Sequence, residues 1–186
     1  MKDLLITGCT SLIKNDVPKR LPEEIRPVVA GKDCAHRPGK RFYHTYPGED
    51  TFSQLFDVYS FSCIVFVSGY ADGGRGYADE LHELEKTLLL AIHSHVDKFI
   101  LLSTEQSQNY VPVPGPGGAE LDRDYFQSAA LCASQEEALC RFYAGRASLK
   151  TIILRLPYLA DSSNSSNFLG SVFRQAVQKK KVLLPC

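Results

Sequence analysis

Short apolar runs alternate along this chain with stretches in which apolar residues return every three or four positions, the pattern of βαβ units building a parallel sheet. Asp3 to Thr7 reads as a buried first strand, Arg26 to Ala30 as a second and Arg41 to Tyr46 as a third. Cys63 to Ser68 is a fourth, apolar on both faces as a central parallel strand should be. Phe99 to Ser103 and Thr151 to Leu156 supply a fifth and a sixth. Between the fourth and fifth strands, Leu81, Leu84, Leu88, Ala91 and Ile92 recur at helical spacing, which turns Glu83, Glu85 and Lys86 mostly to the wet side. A second helix is predicted over about Phe126 to Arg146, burying Leu131, Ala138 and Phe142. A third runs over about Ser166 to Lys180 on Phe168, Leu169, Val172, Phe173 and Ala176. Val111 to Gly118, rich in proline and glycine, is a loop. Lys179 to Cys186 reads as a helix end entering a new strand, so further sequence is expected after Cys186.

A chain of 186 residues suits one domain with a sizeable core. Lys and Arg number 21 and Asp and Glu 21, so this segment carries no charge excess to attract nucleic acid or an anionic membrane. No apolar run approaches the roughly 20 residues of a membrane helix. The six cysteines show neither C-x-x-C nor Cys/His metal spacing, and with a strand predicted almost from Met1 no secretory leader is expected. Reduced thiols in a soluble, cytoplasmic domain without a metal site are expected.

The first strand leads into Thr7-Gly8-Cys9-Thr10-Ser11-Leu12-Ile13-Lys14, which resembles the T-G-x-x-G-x-x-G turn of the extended short-chain dehydrogenase/reductases, the NAD-dependent epimerases and dehydratases. Further landmarks follow in that family's order. Cys63 to Tyr70 resembles the strand ending beside the nicotinamide ribose, and Asp79 to Leu88 the helix after it. Lys98 to Thr104 resembles the strand with a Ser-Thr end, and Leu154 to Tyr158 the Arg-x-Pro segment under the nicotinamide. The resemblance spans nearly the whole chain through ordered, individually weak motifs. It implies a Rossmann-like doubly wound parallel sheet in three α/β/α layers, one NAD(P)-binding domain over residues 1–186. It also implies NAD or NADP contacts at Gly8, Thr10, Ser11, Leu12, Ile13, Ser68, Gly69, Tyr70, Ser103 and Pro157.

The departures bear on function. Of three glycines that allow the turn, the pyrophosphate's approach and close helix packing, only Gly8 remains; Ser11 and Lys14 hold the other places. Pro18 and Pro22 interrupt the helix whose first amides would face the pyrophosphate. The family's catalytic Tyr and Lys, four residues apart, fall on Leu131 and Gln135, aligned through Ser134 and Arg155. Leucine has no proton to transfer, and glutamine no charge to lower a neighbour's pKa. Thr104 matches the family's Ser/Thr as a remnant of the catalytic set.

Other residues admit plain readings. Gly69 to Gly76 is a glycine-rich loop without a phosphate-binding lysine motif, although Arg75 could touch an anion. His82, His93 and His95 belong to a solvated helix face, and Glu136 and Glu137 read as helix surface. At the end of the second strand Lys32 favours a 2′-phosphate and Asp33 a 2′-hydroxyl. The expectation is a non-catalytic epimerase/dehydratase-like domain that senses a nucleotide or small-molecule ligand or binds a protein, for example as the N-terminal sensor of a larger regulator. The alternative is a working NAD(P)-dependent epimerase, dehydratase or reductase with atypical residues. A homodimer is expected through Leu88 to Val96 and Leu131 to Phe142, as the family resemblance implies.

Overall fold

The computed structural model describes residues 2–8, 17–32, 41–68, 77–104, 120–145 and 147–156. Six strands, β1 (Lys2–Gly8), β2 (Ile25–Ala30), β3 (Phe42–Tyr43), β4 (Phe61–Val67), β5 (Lys98–Thr104) and β6 (Lys150–Leu156), form one sheet in the order β3-β2-β1-β4-β5-β6. Every pairing is parallel. The chain first winds outward from β1 to β3, then returns to β4 and winds the other way, so the order reverses between β1 and β4. The parallel sheet is the one the strand pattern predicts, and its double winding is what the family resemblance implies. The helices among the described residues are α1 (Val17–Arg20), α2 (Asp50–Val58), α3 (Tyr77–His93) and α4 (Glu120–Ala144).

Alternation along the strands divides the core. Leu5, Ile64, Phe66, Phe99 and Leu101 point to the face covered by Phe52 and Leu55 of α2, Leu84, Leu88 and Ala91 of α3, and Cys140 of α4. Leu4, Ile6, Val29 and Val67 form a smaller cluster on the opposite face, where Leu21 packs just after α1. At the start of the strands, Arg26 clasps Asp3 through both carboxylate oxygens, with Nη2 to Oδ2 at 2.6 Å, tying β2 to β1.

The third strand is shorter than expected, because the chain leaves β2 after Tyr43 and turns at Pro47 and Gly48 into α2. That helix carries Phe52, Leu55 and Phe56 at helical spacing, a signal too short to separate from loop by periodicity alone. The fourth helix begins earlier than predicted, at Glu120. Its buried face also differs. Phe142 is 49% exposed and Ala138 is exposed, whereas Cys132, Ala133, Glu136, Glu137 and Cys140 are buried. On α3, Glu83 is buried rather than wet, Glu80 is buried beside it, and half-buried Glu85 accepts a hydrogen bond from Tyr143 at 2.9 Å. His82, His93 and His95 are exposed as expected. The predicted helix over residues 166–180 and the loop over 111–118 lie outside the described residues. No helix among the described residues is long and apolar enough to cross a membrane.

Candidate functional site

The C-terminal ends of β1, β4 and β5 meet where the strand order reverses, the place at which sheets of this kind bind ligands. Gly8 closes β1 with φ at +87°, and a Cβ there would stand 2.3 Å from the Val67 carbonyl oxygen. Only glycine accepts both the left-handed backbone and that close approach of β1 to β4. Beside it, Ser68 follows β4 and its amide donates to the Leu102 carbonyl at 3.1 Å, so its position is fixed by β5. Ser103 and Thr104 end β5; Ser103 is buried and Thr104 half-buried.

The hydroxyl of Ser103 is not turned toward the open end of the crevice. It donates to Glu137 Oε1 at 3.1 Å. Glu137 is 1% exposed and also receives Arg155 in a two-pronged pair, Nε to Oε1 at 2.8 Å and Nη2 to Oε2 at 2.7 Å. Arg141, one helical turn on, adds a bond to Oε2 at 2.9 Å. Two guanidinium groups and a hydroxyl thus satisfy a buried carboxylate whose charge would otherwise be prohibitive. The consequence is mechanical: α4 is locked to the ends of β5 and β6, and the Arg155 side of the Arg-Leu-Pro segment is held from beneath. The same contact favours the charged guanidinium and raises the Arg155 pKa.

Glu136 is the opposite case. It has no exposed surface, and neither carboxylate oxygen has a hydrogen-bond partner among the described residues. Burial pushes its pKa well up; the charge of Glu80 adds to the effect, and the hydroxyl of Ser68 opposes it. Glu80 comes from the first turn of α3 and Cys132 from the turn of α4 preceding Glu136. One donor atom from each of these three buried residues lies within 4.8 Å of the others. Burial, then the charges of Glu136 and Glu80, raise the Cys132 thiol, and Cys140 is pushed up to about 12 by burial and the charges of Glu136 and Glu137. At neutral pH both sulfurs are protonated and unreactive. Cys63, Cys132 and Cys140 are free thiols.

The sequence reading of Glu136 and Glu137 as helix surface is therefore corrected. The residues follow Ser134 and Gln135 in a polar run, and polarity alone turns such a run outward; it cannot reveal that Arg155 and Ser103 wait on the inner side. No cysteine or histidine spacing marks a trio drawn from two helices, so the potential metal-ligating cluster was invisible to motif reading. The signal that could have found it is the i, i+4 register of Cys132, Glu136 and Cys140, a stripe continuous with the buried face.

The aligned catalytic positions sit differently. Leu131 is half-buried and Gln135 exposed, on the side of α4 away from Glu136 and Glu137. Among the described tyrosines, Tyr143 is committed to Glu85, and the hydroxyls of Tyr43 and Tyr59 bond each other at 2.5 Å. Lys32, at the end of β2, pairs with Glu83 at 2.7 Å and lies over the Tyr46 ring, 4.1 Å from its centroid. Thr10, Ser11, Leu12, Ile13, Asp33, Gly69, Tyr70, Arg75 and Pro157 lie outside the described residues.

This crevice and strand order define the class: a Rossmann-like domain with the fold of the NAD-dependent epimerases and dehydratases. UDP-glucose 4-epimerase from Thermotoga maritima, solved with UDP-glucose, superposes with a TM-score of 0.68 at 16% identity, over 95% of this chain and 63% of that one. The enzyme WbmH of Bordetella bronchiseptica, in complex with NAD+, gives 0.67 at 17% identity, over 97% and 64%. The holo form of a GalE-like L-threonine dehydrogenase from Cupriavidus necator gives 0.67 at 14% identity, over 95% and 63%. The chain thus spans somewhat less than two thirds of these structures. No family model and no curated protein matches the sequence.

Proposed function

We propose that this chain is a nucleotide-fold domain that binds a ligand or a partner protein without hydride chemistry, serving a regulatory role. The observation that carries this reading is the composition of α4. The two positions aligned with the proton-transferring pair hold Leu131 and Gln135, while the ionisable side chains of the same turns face inward. A helix that once presented a phenol and an ammonium to a substrate would here serve as a brace for β5 and β6.

The crevice keeps features that fit a dinucleotide. Gly8 supplies the turn conformation required where the phosphates approach, and Ser68 and Thr104 border the position of a nicotinamide ribose in this fold. A bound nicotinamide would supply a hydride acceptor; these residues would only position it. Lys32 would contribute little to a 2′-phosphate while Glu83 neutralises it, which favours NAD over NADP as the form bound. Cytoplasmic residence and self-association belong to the same reading. Leu89 and Phe142 remain exposed on the two helices expected at a dimer, although Leu88, Ala91, Cys132 and Cys140 are buried within the chain.

The test combines binding with turnover. Thermal-shift titration with NAD+, NADH, NADPH and UDP-glucose should raise the melting temperature for at least one of them. Hydride transfer should stay about 100- to 10,000-fold below that of an ordinary enzyme, the contribution of a positioned acid–base group. Turnover at an ordinary rate, on the order of 1 per second or faster, would overturn the proposal. If none of the probes binds, the partner-protein form of the proposal is what stands.

A further inference from the structure

We propose that Glu80, Cys132 and Glu136 form a binding site for a single divalent cation of the zinc class, joining α3 to α4 beneath the crevice. Two observations point to it independently. The first is geometric: a carboxylate oxygen from each glutamate and the Cys132 sulfur all lie within 4.8 Å of one another. A tetrahedral zinc centre with bonds of about 2.0–2.3 Å holds its donor atoms roughly 3.5 Å apart, so closure needs only a small adjustment of side chains. The second is the state of Glu136. It is wholly buried, its oxygens have no hydrogen-bond partner among the described residues, and one of them faces the other two donors. Buried carboxylates left in that condition are rare unless a proton or a cation completes them.

The donor set selects the ion. A thiolate with two carboxylates suits zinc or cobalt, whereas magnesium and calcium demand six or more oxygens. The helical register supports the assignment, since Cys132 and Glu136 are spaced i, i+4 on one face and Glu80 meets them from the neighbouring helix. Ser68, whose hydroxyl lies near Glu136, is placed to orient a ligating oxygen. Every proton-bearing group in the cluster must give up its proton to bind the metal. The metal competes with those protons for the same donor atoms, so binding strengthens as pH rises. The groups that face Glu136 in this respect are Glu80 from α3, Cys132, Glu137 and Cys140 from α4, and Ser68 after β4. Nothing in the proposal depends on a nucleotide occupying the crevice.

The experiment uses the whole 186-residue chain, stripped with a chelator and titrated with cobalt and then zinc. One cobalt per chain should bind, with a sulfur-to-cobalt charge-transfer band in the near ultraviolet and tetrahedral ligand-field bands in the visible. Zinc should displace it and raise the melting temperature. Cys132→Ala should abolish the charge-transfer band, while Cys63→Ala leaves it intact. Glu136→Gln should weaken zinc binding at least about tenfold. Because Glu136→Gln also removes a buried acid, its metal-free form should melt no lower than wild type, which separates loss of a ligand from loss of the fold. The proposal is overturned if no charge-transfer band forms at millimolar cobalt. It is equally overturned if the band and the zinc affinity survive both Cys132→Ala and Glu136→Gln; another of the six cysteines would then supply the sulfur.

Discussion

Glu136 and Glu137 are adjacent in the chain, equally buried, and chemically opposite. Glu137 is surrounded by donors from Ser103, Arg141 and Arg155. Its replacement by alanine strands all three and opens a cavity, so Glu137→Ala should lower stability by about 3 kcal/mol, read from urea unfolding. Glu136 holds its proton to higher pH in the folded chain than in the unfolded one. Between the ordinary carboxylate range and its raised value, the folded state therefore binds more protons, and stability falls as pH rises through that window. Glutamine carries no such penalty. With metal chelated, Glu136→Gln should match wild type at about pH 4 and exceed it by on the order of 2 kcal/mol at about pH 8. A gap that does not widen with pH would contradict the assignment. The sequence made Gly8 legible, because a strand followed by Thr-Gly already demands a turn. The two glutamates were illegible because their partners come from other elements, and nothing local distinguishes a solvated glutamate from one met by a distant arginine.

Whole elements were easier to read than their orientation. All six strands fall within or close to the predicted runs, although β3 keeps only two residues; the inner ones were plainest, since a parallel strand buried on both faces needs an unbroken apolar run. The helix after β4 was equally plain from its three- and four-residue spacing. Its companion α4 was found but rotated: Leu131, Ala138 and Phe142 gave an apolar stripe, yet the sheet receives Cys132, Ala133, Glu136, Glu137 and Cys140 instead. Hydrophobicity cannot fix the phase of a helix whose inner face carries paired acids. The end of α3 offers a sharper local test. His95 adopts φ of +53°, and the amides of His95 and Val96 bond back to the Ile92 and Ala91 carbonyls, closing the helix in a left-handed turn that glycine makes more cheaply. His95→Gly should stabilise the protein by about 0.5–1 kcal/mol, visible as a rise in melting temperature.

For the molecule as a whole, the two sheet edges are unequal. The β3 edge is two residues long, whereas β6 runs for seven and exposes Ile152 and Leu154, at 42% and 43%. Among the described residues no strand pairs with the outer side of β6. A long apolar edge is prone to pair with other chains. Leu154→Lys should therefore reduce any concentration-dependent light scattering of the chain, while Leu4→Lys, in the core, should unfold it.

The seam where α3 meets α4 has a kinetic side as well. Carrying Glu136 away from water is penalised unless a proton or an ion arrives with it. The last step of assembly, in which the two helices close on each other, is then an uptake reaction whose rate follows acidity. A chain folding in mildly acidic solution should zip this seam sooner than one folding in alkali.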